Sequence, residues 1–414
     1  MKDMHKFVLL GFMIFAIALT FTTTATAQSN GSSSTQEIEA DPEDYFLAED
    51  VVLASGDVID AGTEWYRVPD IERLREELEN GTYTGNIAWG TSVVFGYDIM
   101  TQTYTTIGEA RTDGLDPVAI GRTMNCSSCH AQGGTVPYAW PFFRTIAHFG
   151  LTETGDEGSY WGNLGYNRDA RTRARDCGRH CGGVVDFAED SVEMDGLVDW
   201  MIAIRDGIYE GEGLLIPEFK TTDADKIPGA RIPLFAGVMD MQADPDAGAT
   251  LYRKNCNGCH GKDGEGKWNS RKGYRGHPPL AGEGAFTEAG GPLMVPVGAA
   301  FIHRQMPLSN PGSLTEQEAL DVMAYIATLP RGTRWWQDEY FAHDRCARPA
   351  FLPLHVGAVP VGMESVFTAE QVQFGPWAEV RDWLASADCT DANPTVDPVL
   401  DRYFDPGATG DWEN

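Results

Sequence analysis

The sequence is short of positive charge. It has 31 lysine and arginine side chains against 61 acidic ones, so the formal net charge is −30 over 414 residues. Only eight of the basic residues are lysines. A surface of this sign repels phosphate backbones and anionic lipid head groups. We therefore expect no nucleic-acid partner, whereas a basic redox partner or a high-salt habitat would suit this charge.

Long apolar runs are missing after the N-terminal 27 residues. The early run, Phe7 to Phe21, follows a short basic stretch and precedes the small residues Ala25-Thr26-Ala27. This order is typical of a cleavable signal peptide over residues 1–27, with Gln28 starting the mature chain. The alternative is a retained anchor, for which about fifteen apolar residues are short. No cysteine marks a lipoprotein cleavage site. The sequence thus predicts a periplasmic or otherwise exported protein without a membrane span in its mature form.

Composition divides the remaining chain into five parts, and two of them repeat one plan. Each of these two has a Cys-x-x-Cys-His motif, then a long irregular stretch, then an amphipathic helix. The predicted helices begin near Asp190 and at Thr315, where Glu318 completes a capping box. The parts are a flexible Ser-rich leader (28–44), a first domain (45–215), a Pro/Gly-bearing linker (216–232), a second domain (233–330) and a Pro- and aromatic-rich extension with little helical periodicity (331–414).

Four of the eight cysteines belong to the two motifs, which predict covalent haem attachment. Thiols three residues apart can reach both vinyl groups of one haem, and the next histidine then lies under the iron. A redox dithiol or half a zinc site is the alternative for a single Cys-x-x-Cys, but the histidine, the duplication and the export signal favour haem. We expect two haem c groups and an all-α fold, with two class-I-like cytochrome c domains in tandem and an irregular C-terminal extension. The haem-binding residues are Cys126, Cys129 and His130 in the first motif and Cys256, Cys259 and His260 in the second.

The second haem has a candidate sixth ligand in Met306. This residue precedes Pro307, lies 46 residues after His260 and comes just before the terminal helix. A thioether ligand raises the potential of haem iron and suits electron transfer. A core methionine is the alternative interpretation, with His303 and Met294 as rival ligands.

The corresponding stretch of the first domain, residues 168–181, has five arginines around Cys177 and Cys181. A thiolate can ligate iron, and nearby cations stabilise its ionised form; the same cations could hold an anionic substrate. The alternative is a disulfide between these two cysteines, with the arginines binding haem propionates. Cys346 and Cys389 are expected to form a disulfide in the extension, because spare thiols tend to pair in an exported protein.

Linked segments of the chain resemble the dihaem thiosulfate dehydrogenases and, more distantly, the cytochrome subunit of the Sox thiosulfate-oxidising system. The resemblance covers about residues 85–330. The segments are the helix around Tyr97, Met124-Asn125-Cys126, the run from Cys129 to Ala139, Arg173 to Cys177, Asp190 to Met194, Pro278-Pro279-Leu280 and Phe301 to Leu308.

This resemblance implies an activity and a set of site residues. Members of the family join two thiosulfates into tetrathionate, or run the reverse, at a haem ligated by histidine and cysteine. Cys177 matches the family cysteine, Arg173 matches an arginine near the substrate, and Met306 matches the ligand of the second haem. Implied partners are a small sulfur oxyanion and an external electron acceptor, such as a redox-partner cytochrome.

The chain departs from the family just after Cys177. Where the family has an arginine and a serine, this chain has His180 and Cys181, and Arg179 could replace the missing arginine. A second thiol could close the site by pairing with Cys177, or could signal a different sulfur substrate. Two other functions stay open at this point: a non-catalytic dihaem electron carrier or subunit of a larger complex, and a dihaem peroxidase.

Overall fold

The computed structural model describes residues 40–118, 124–149, 159–161, 166–178, 188, 190–221, 223–269, 274–282, 284–286, 290–331 and 363–386. The predicted signal peptide, most of the leader and much of the extension lie outside these ranges, as do Arg179, His180, Cys181, Cys346 and Cys389. No helix in the described ranges has the length and apolar character needed to span a membrane.

Helices dominate the described part of the chain. In chain order the α-helices are α1 (Ile71–Asn80), α2 (Ile87–Thr101), α3 (Thr103–Thr106), α4 (Ala131–Gly134), α5 (Thr145–Phe149), α6 (Ala170–Cys177), α7 (Val192–Asp206), α8 (Pro245–Asn255), α9 (Asn257–His260), α10 (Val295–Gln305), α11 (Glu316–Thr328), α12 (Ala369–Phe374) and α13 (Ala378–Ala385). Single 3-10 turns cover Pro42–Tyr45, Cys126–Ser128, Pro217–Lys220, Ala224–Lys226, Val238–Asp240, Gly291–Leu293 and Met363–Ser365.

The described residues also form four two-stranded antiparallel sheets, which the all-α prediction did not include. The strands have only two to four residues, so each sheet links two short segments by hydrogen bonds and does not form a layer of the fold. The pairing of β3 with β6 joins the segment before α1 to the segment after α7. The strands are β1 (Val51–Val52) with β2 (Val58–Ile59), β3 (Tyr66–Arg67) with β6 (Gly213–Leu214), β4 (Ser159–Trp161) with β5 (Tyr166–Arg168), and β7 (Lys267–Asn269) with β8 (Tyr274–His277).

Helices α2 and α7 form the central pair of the first half. They cross where Gly96 meets Gly196, and the absence of side chains there lets the two backbones touch. Beside the crossing, the rings of Tyr97 and Trp200 pack edge to face with their centroids 5.0 Å apart. The helix predicted near Asp190 is therefore present as α7, whose N-terminal amides are capped by Ser191.

Helices α8 and α11 form an equivalent pair in the second half. Gly248 of α8 lies against the backbone of Asp321 in α11, and the rings of Tyr252 and Tyr325 are 5.2 Å apart. The predicted capping box is present, since Thr315 and Glu318 bond each other's backbone amides at the start of α11.

The buried apolar residues form two cores. The first core surrounds α2 and α7 and includes Trp65, Tyr66 and Phe143. The second surrounds α8, α10 and α11. Residues of the predicted linker pack into these cores, because Phe219 and Ile227 are buried in the first and Ile232 in the second.

The extension departs from the predicted irregular structure. Two short helices, α12 and α13, place Val372, Phe374 and Trp377 in the second core. The backbone amide of Trp377 donates to the carbonyl of Met239, and the carbonyl of Phe374 accepts from Ala243. The helices have six and eight residues and are separated by Gly375-Pro376, so neither is long enough to show a clear period in the sequence.

Candidate haem and substrate sites

The first Cys-x-x-Cys-His motif begins in a 3-10 turn that lies against the start of α3. The Thr103 hydroxyl accepts from the Cys126 amide at 2.9 Å and donates to the Ile99 carbonyl of α2 at 2.6 Å, and its oxygen lies 3.3 Å from the Cys126 sulfur. Thr103 therefore joins α2 to the motif. The contact fixes the first thiol relative to the α2–α7 pair.

His130 and His260 are held in the same way. Nδ1 of His130 donates to the carbonyl of Trp140 at 2.5 Å, and Nδ1 of His260 donates to the carbonyl of Pro278 at 2.8 Å. A hydrogen bond of this kind selects the tautomer whose Nε2 is left to bind a metal. Both motifs therefore present two thiols and one oriented imidazole, which is the donor set that haem c requires.

Burial favours the neutral, ligating form of the second histidine. Burial is the main cause that lowers the pKa of His260. The hydrogen bond to the Pro278 carbonyl acts in the opposite direction, and the neighbouring His277 lowers this pKa further. Burial also raises the pKa of Cys256 to about 11, and Cys259 acts in the same direction. Uncharged thiols and a neutral imidazole suit a site that receives a large apolar ring.

The segment after His130 has an unusual backbone. Gln132, Tyr138 and Trp140 have φ values of 48°, 60° and 47°, in the left-handed region that side chains disfavour. Hydrogen bonds from the first half hold this segment: the Trp200 indole donates to Gly133 at 2.7 Å, and the Tyr45 hydroxyl donates to the Thr135 carbonyl at 3.1 Å. Tyr45 closes the 3-10 turn at the end of the predicted leader. Strained backbone that the surroundings hold in place is typical of functional sites.

Cys177 lies within electrostatic range of the first motif. Burial is the main cause that raises the pKa of Cys126 to about 11 and that of Cys129 to about 12, and a charge on Cys177 acts in the same direction. The role of Cys177 as a ligand at the first site stays a prediction. Cys177 ends α6, where the helix carbonyls disfavour a thiolate, so a stable thiolate there needs a cation or a metal.

Helix α6 is held at its N-terminal end and carries the predicted substrate arginine. Asp169 is buried and accepts from the Thr172 amide at 2.8 Å, which caps the helix. Arg171 forms an ion pair with Asp195 of α7 at 2.6 Å. Arg173 lies one turn before Cys177 on the same side of the helix. The position of Arg179 falls outside the described residues.

Met306 ends α10, where its amide donates to Ile302 at 2.9 Å. It packs against the second core, as does Cys256 of the second motif. The rival ligand His303 is also oriented, because its Nδ1 donates to the Leu314 carbonyl at 2.8 Å, and its ring stands edge-on to Phe235.

Sequence reasoning missed several residues that build these sites. Thr103 contacts the first thiol, the Trp140 carbonyl orients His130, and the Trp140 ring stacks on Phe301 of α10. The Trp140 and Phe301 segments belonged to the family resemblance, but no local pattern shows that they meet. Within the described ranges, no group of three or more histidine, cysteine or acidic side chains is placed so that it could hold a metal ion.

Residues 245–330 match the cytochrome c family. Over 250 residues, or 59% of its length, the chain is 26% identical to a thiosulfate dehydrogenase from Psychrobacter arcticus, of which it covers 64%. It is also 26% identical over 221 residues to the thiosulfate dehydrogenase of Allochromatium vinosum, covering 52% of this chain and 72% of that protein.

The chain is similar to thiosulfate dehydrogenases. The predicted resemblance is thereby confirmed, and it extends over a little more than half of the chain. The matched part spans less than two thirds of the Psychrobacter thiosulfate dehydrogenase. Among solved structures, a thiosulfate dehydrogenase (TsdBA) from Marichromatium purpuratum aligns with a TM-score of 0.45 and 23% identity, covering 58% of this chain and 46% of that one.

Proposed function

We propose that the protein is an exported dihaem cytochrome c that oxidises thiosulfate to tetrathionate, or catalyses the reverse reaction. His130 and Cys177 would ligate the first haem, and His260 and Met306 the second. Electrons would leave through the second haem to an external acceptor, such as a redox-partner cytochrome. The signal sequence supports the periplasm as the location.

The observation that carries this proposal is the pair of Cys-x-x-Cys-His motifs whose histidines are oriented in the same way, with Cys177 within electrostatic range of the first motif. A thiolate at the C-terminal end of α6 opposes the helix dipole, and a ligated iron or neighbouring arginines would compensate for it. The hydrogen bond at Nδ1 leaves Nε2 of His130 able to bind iron, so His130 and Cys177 are the residues that would hold the first haem. Similarity to thiosulfate dehydrogenases over more than half of the chain supports thiosulfate as the substrate.

The chemistry of this site would be oxidative formation of a sulfur–sulfur bond, with loss of two electrons, followed by sulfur exchange. Arg173 and Arg175 would hold the thiosulfate dianion by charge-assisted hydrogen bonds. The Cys177 thiolate forms a bond to the terminal sulfur of one thiosulfate, and two electrons leave. A second thiosulfate attacks that same sulfur, the bond to Cys177 breaks, and tetrathionate departs with the thiolate restored. The haems, when bound, supply two one-electron acceptors.

The predicted ligands set the direction of electron flow. Thiolate ligation lowers the potential of an iron, and thioether ligation raises it. Electrons would therefore pass from the first haem to the second. This direction is suited to oxidation of thiosulfate, with the second haem facing the acceptor.

The decisive experiment is anaerobic and optical. Oxidised holoprotein is mixed with excess thiosulfate, and the reduced haem bands are followed in the parent and in Cys177→Ala. We expect rapid reduction in the parent only, while dithionite reduces both proteins fully. Mass spectrometry and a haem assay on the same preparations should give two haems per chain.

Other outcomes would change the assignment. Full thiosulfate-dependent reduction in Cys177→Ala would contradict the proposed role of this cysteine. Failure of thiosulfate to reduce the parent would favour an electron carrier or another sulfur substrate. Rapid turnover of hydrogen peroxide would point to a peroxidase.

A further inference from the structure

The two halves of the chain meet at the segment that follows His130. Phe301 of α10 stacks on the ring of Trp140 with a centroid distance of 4.3 Å and an interplanar angle of 3°. Trp140 is the residue whose carbonyl accepts from Nδ1 of His130. One residue of the first half thus holds the histidine with its backbone and contacts the second half with its ring.

The contact extends along the last turn of α10. The Arg304 guanidinium lies 4.6 Å above the centre of the Tyr138 ring. Gln305 is buried, and its amide nitrogen donates to the Pro137 carbonyl at 3.3 Å. Met306 follows directly after these residues. The supporting segment of His130 is therefore packed on the helix that ends at the predicted ligand of the other site.

The backbone of this segment depends on its surroundings. Trp140 and Tyr138 have positive φ values, a conformation that costs free energy in a residue with a Cβ. Removing the ring that covers Trp140 would let its backbone relax toward an ordinary conformation. The Trp140 carbonyl would then move relative to His130 and weaken the hydrogen bond at Nδ1.

That hydrogen bond has an electronic consequence. An imidazole that donates through Nδ1 is more electron-rich at Nε2, and it stabilises oxidised iron relative to reduced iron. A weaker hydrogen bond at His130 therefore raises the reduction potential of the first haem.

We infer that Phe301, a residue of the second half, is a positioning residue for His130 and sets the potential of the first haem through its stack on Trp140. The inference deepens the proposed function and rests on it only in requiring a haem at His130. With this role for Phe301, the reduction potential of the first haem depends on the position of α10. A displacement of α10 at its Met306 end would change that potential at the site where substrate reacts.

The test uses Phe301→Leu in the haem-loaded full-length chain, with Phe301→Tyr as the conservative variant. Potentials are read by spectroelectrochemical titration. The two haems are assigned with Met306→His, which changes a predicted ligand of the second haem and leaves its attachment motif intact. We expect Phe301→Leu to raise the potential of the first haem, and Phe301→Tyr to keep it at the parental value because a flat ring remains. Hydrogen exchange of the His130 Nδ1 proton, followed by NMR in the reduced protein, should be faster in Phe301→Leu.

Two comparisons separate this effect from general loosening. Phe235→Leu removes another buried aromatic contact with α10, at His303, and should leave the first haem unchanged. In a Trp140→Leu background, Phe301→Leu should cause no further shift, because the stack is already lost. If Trp140→Leu does not fold, the comparison of Phe301→Leu with Phe301→Tyr still tests the inference.

The inference is overturned if folded Phe301→Leu with two haems has a parental first-haem potential and parental exchange at His130. An equal shift in Phe235→Leu would also overturn it. A parent chain that lacks a haem at His130 would instead contradict the proposed function, so the two failures are distinguishable.

Discussion

Gly96 of α2 lies so close to Gly196 of α7 that a Cβ on Gly96 would overlap the Gly196 carbonyl oxygen. The same relationship recurs between Gly248 of α8 and the Asp321 carbonyl of α11. Each crossing brings together the helix before a haem motif and the helix after it. The two halves therefore place their motifs against equivalent helix pairs.

Alanine at either crossing should be destabilising. Because the obstacle is backbone and not a flexible side chain, Gly96→Ala and Gly248→Ala should each lower the free energy of unfolding by about 1–3 kcal/mol or more. Denaturant unfolding of the haem-loaded protein measures this. Gly258→Ala is the matched control, since a Cβ at Gly258 meets no atom within 4 Å. Equal stability of all three variants would contradict the close crossing.

Two arginines of α6 should differ in their effect on turnover. Arg173→Gln removes a cation one turn from Cys177 and should weaken thiosulfate use roughly 10- to 100-fold, since a hydrogen bond to a charged group contributes about 1.5–3 kcal/mol. Steady-state kcat/KM with an artificial acceptor gives the comparison. Arg171→Gln is the control: its partner is Asp195, so it should cost far less. Similar losses in the two variants would indicate a structural role for both.

The capping box of α11 should make stability depend on pH. Hydrogen bonds from the Thr315 amide and hydroxyl lower the pKa of Glu318. A carboxyl group whose pKa is lower in the folded protein than in the unfolded chain stabilises the fold at pH values above its unfolded pKa. This contribution is lost as the pH falls below about 4.5 and through the folded-state pKa. Glu318→Gln should therefore cost up to about 1 kcal/mol near pH 7 and less in acid. The exposed Glu316→Gln in the same turn should show a smaller change, and a pH-independent cost at Glu318 would contradict this account.

The extension should contribute to the stability of the second half. Trp377 is fully buried, and its indole donates to the Val372 carbonyl at 3.1 Å. Trp377→Ala should lower the free energy of unfolding by about 3–5 kcal/mol. Trp383→Ala, at a partly exposed tryptophan of α13 that packs edge-on to Phe367, should cost clearly less. A chain ending at residue 362 should show the larger loss, and unchanged stability there would contradict packing of the extension in the second core.

Local patterns predicted the elements that neighbouring residues control. The capping box at Thr315 and Glu318 was visible because both halves of the contact are three residues apart. The helix at α7 was visible through the spacing of its apolar residues, several of which are buried. Helices α12 and α13 were missed because each is too short to show a clear period in the sequence. Their position depends on contacts with Met239 and Ala243, which lie more than a hundred residues earlier in the chain.

The sequence by itself determined the chemistry of the two motifs, because a thiol pair and a histidine within five residues need no distant partner to suit one haem. It also indicated Cys177 through its arginine-rich surroundings and its family resemblance. Only the tertiary structure decided that Cys177 lies within electrostatic range of Cys126 and Cys129, that the Trp140 carbonyl orients His130, and that Phe301 covers Trp140. These contacts join residues that are far apart in the chain. They form only when particular faces of different helices are buried against each other, and this arrangement depends on the packing of the whole fold.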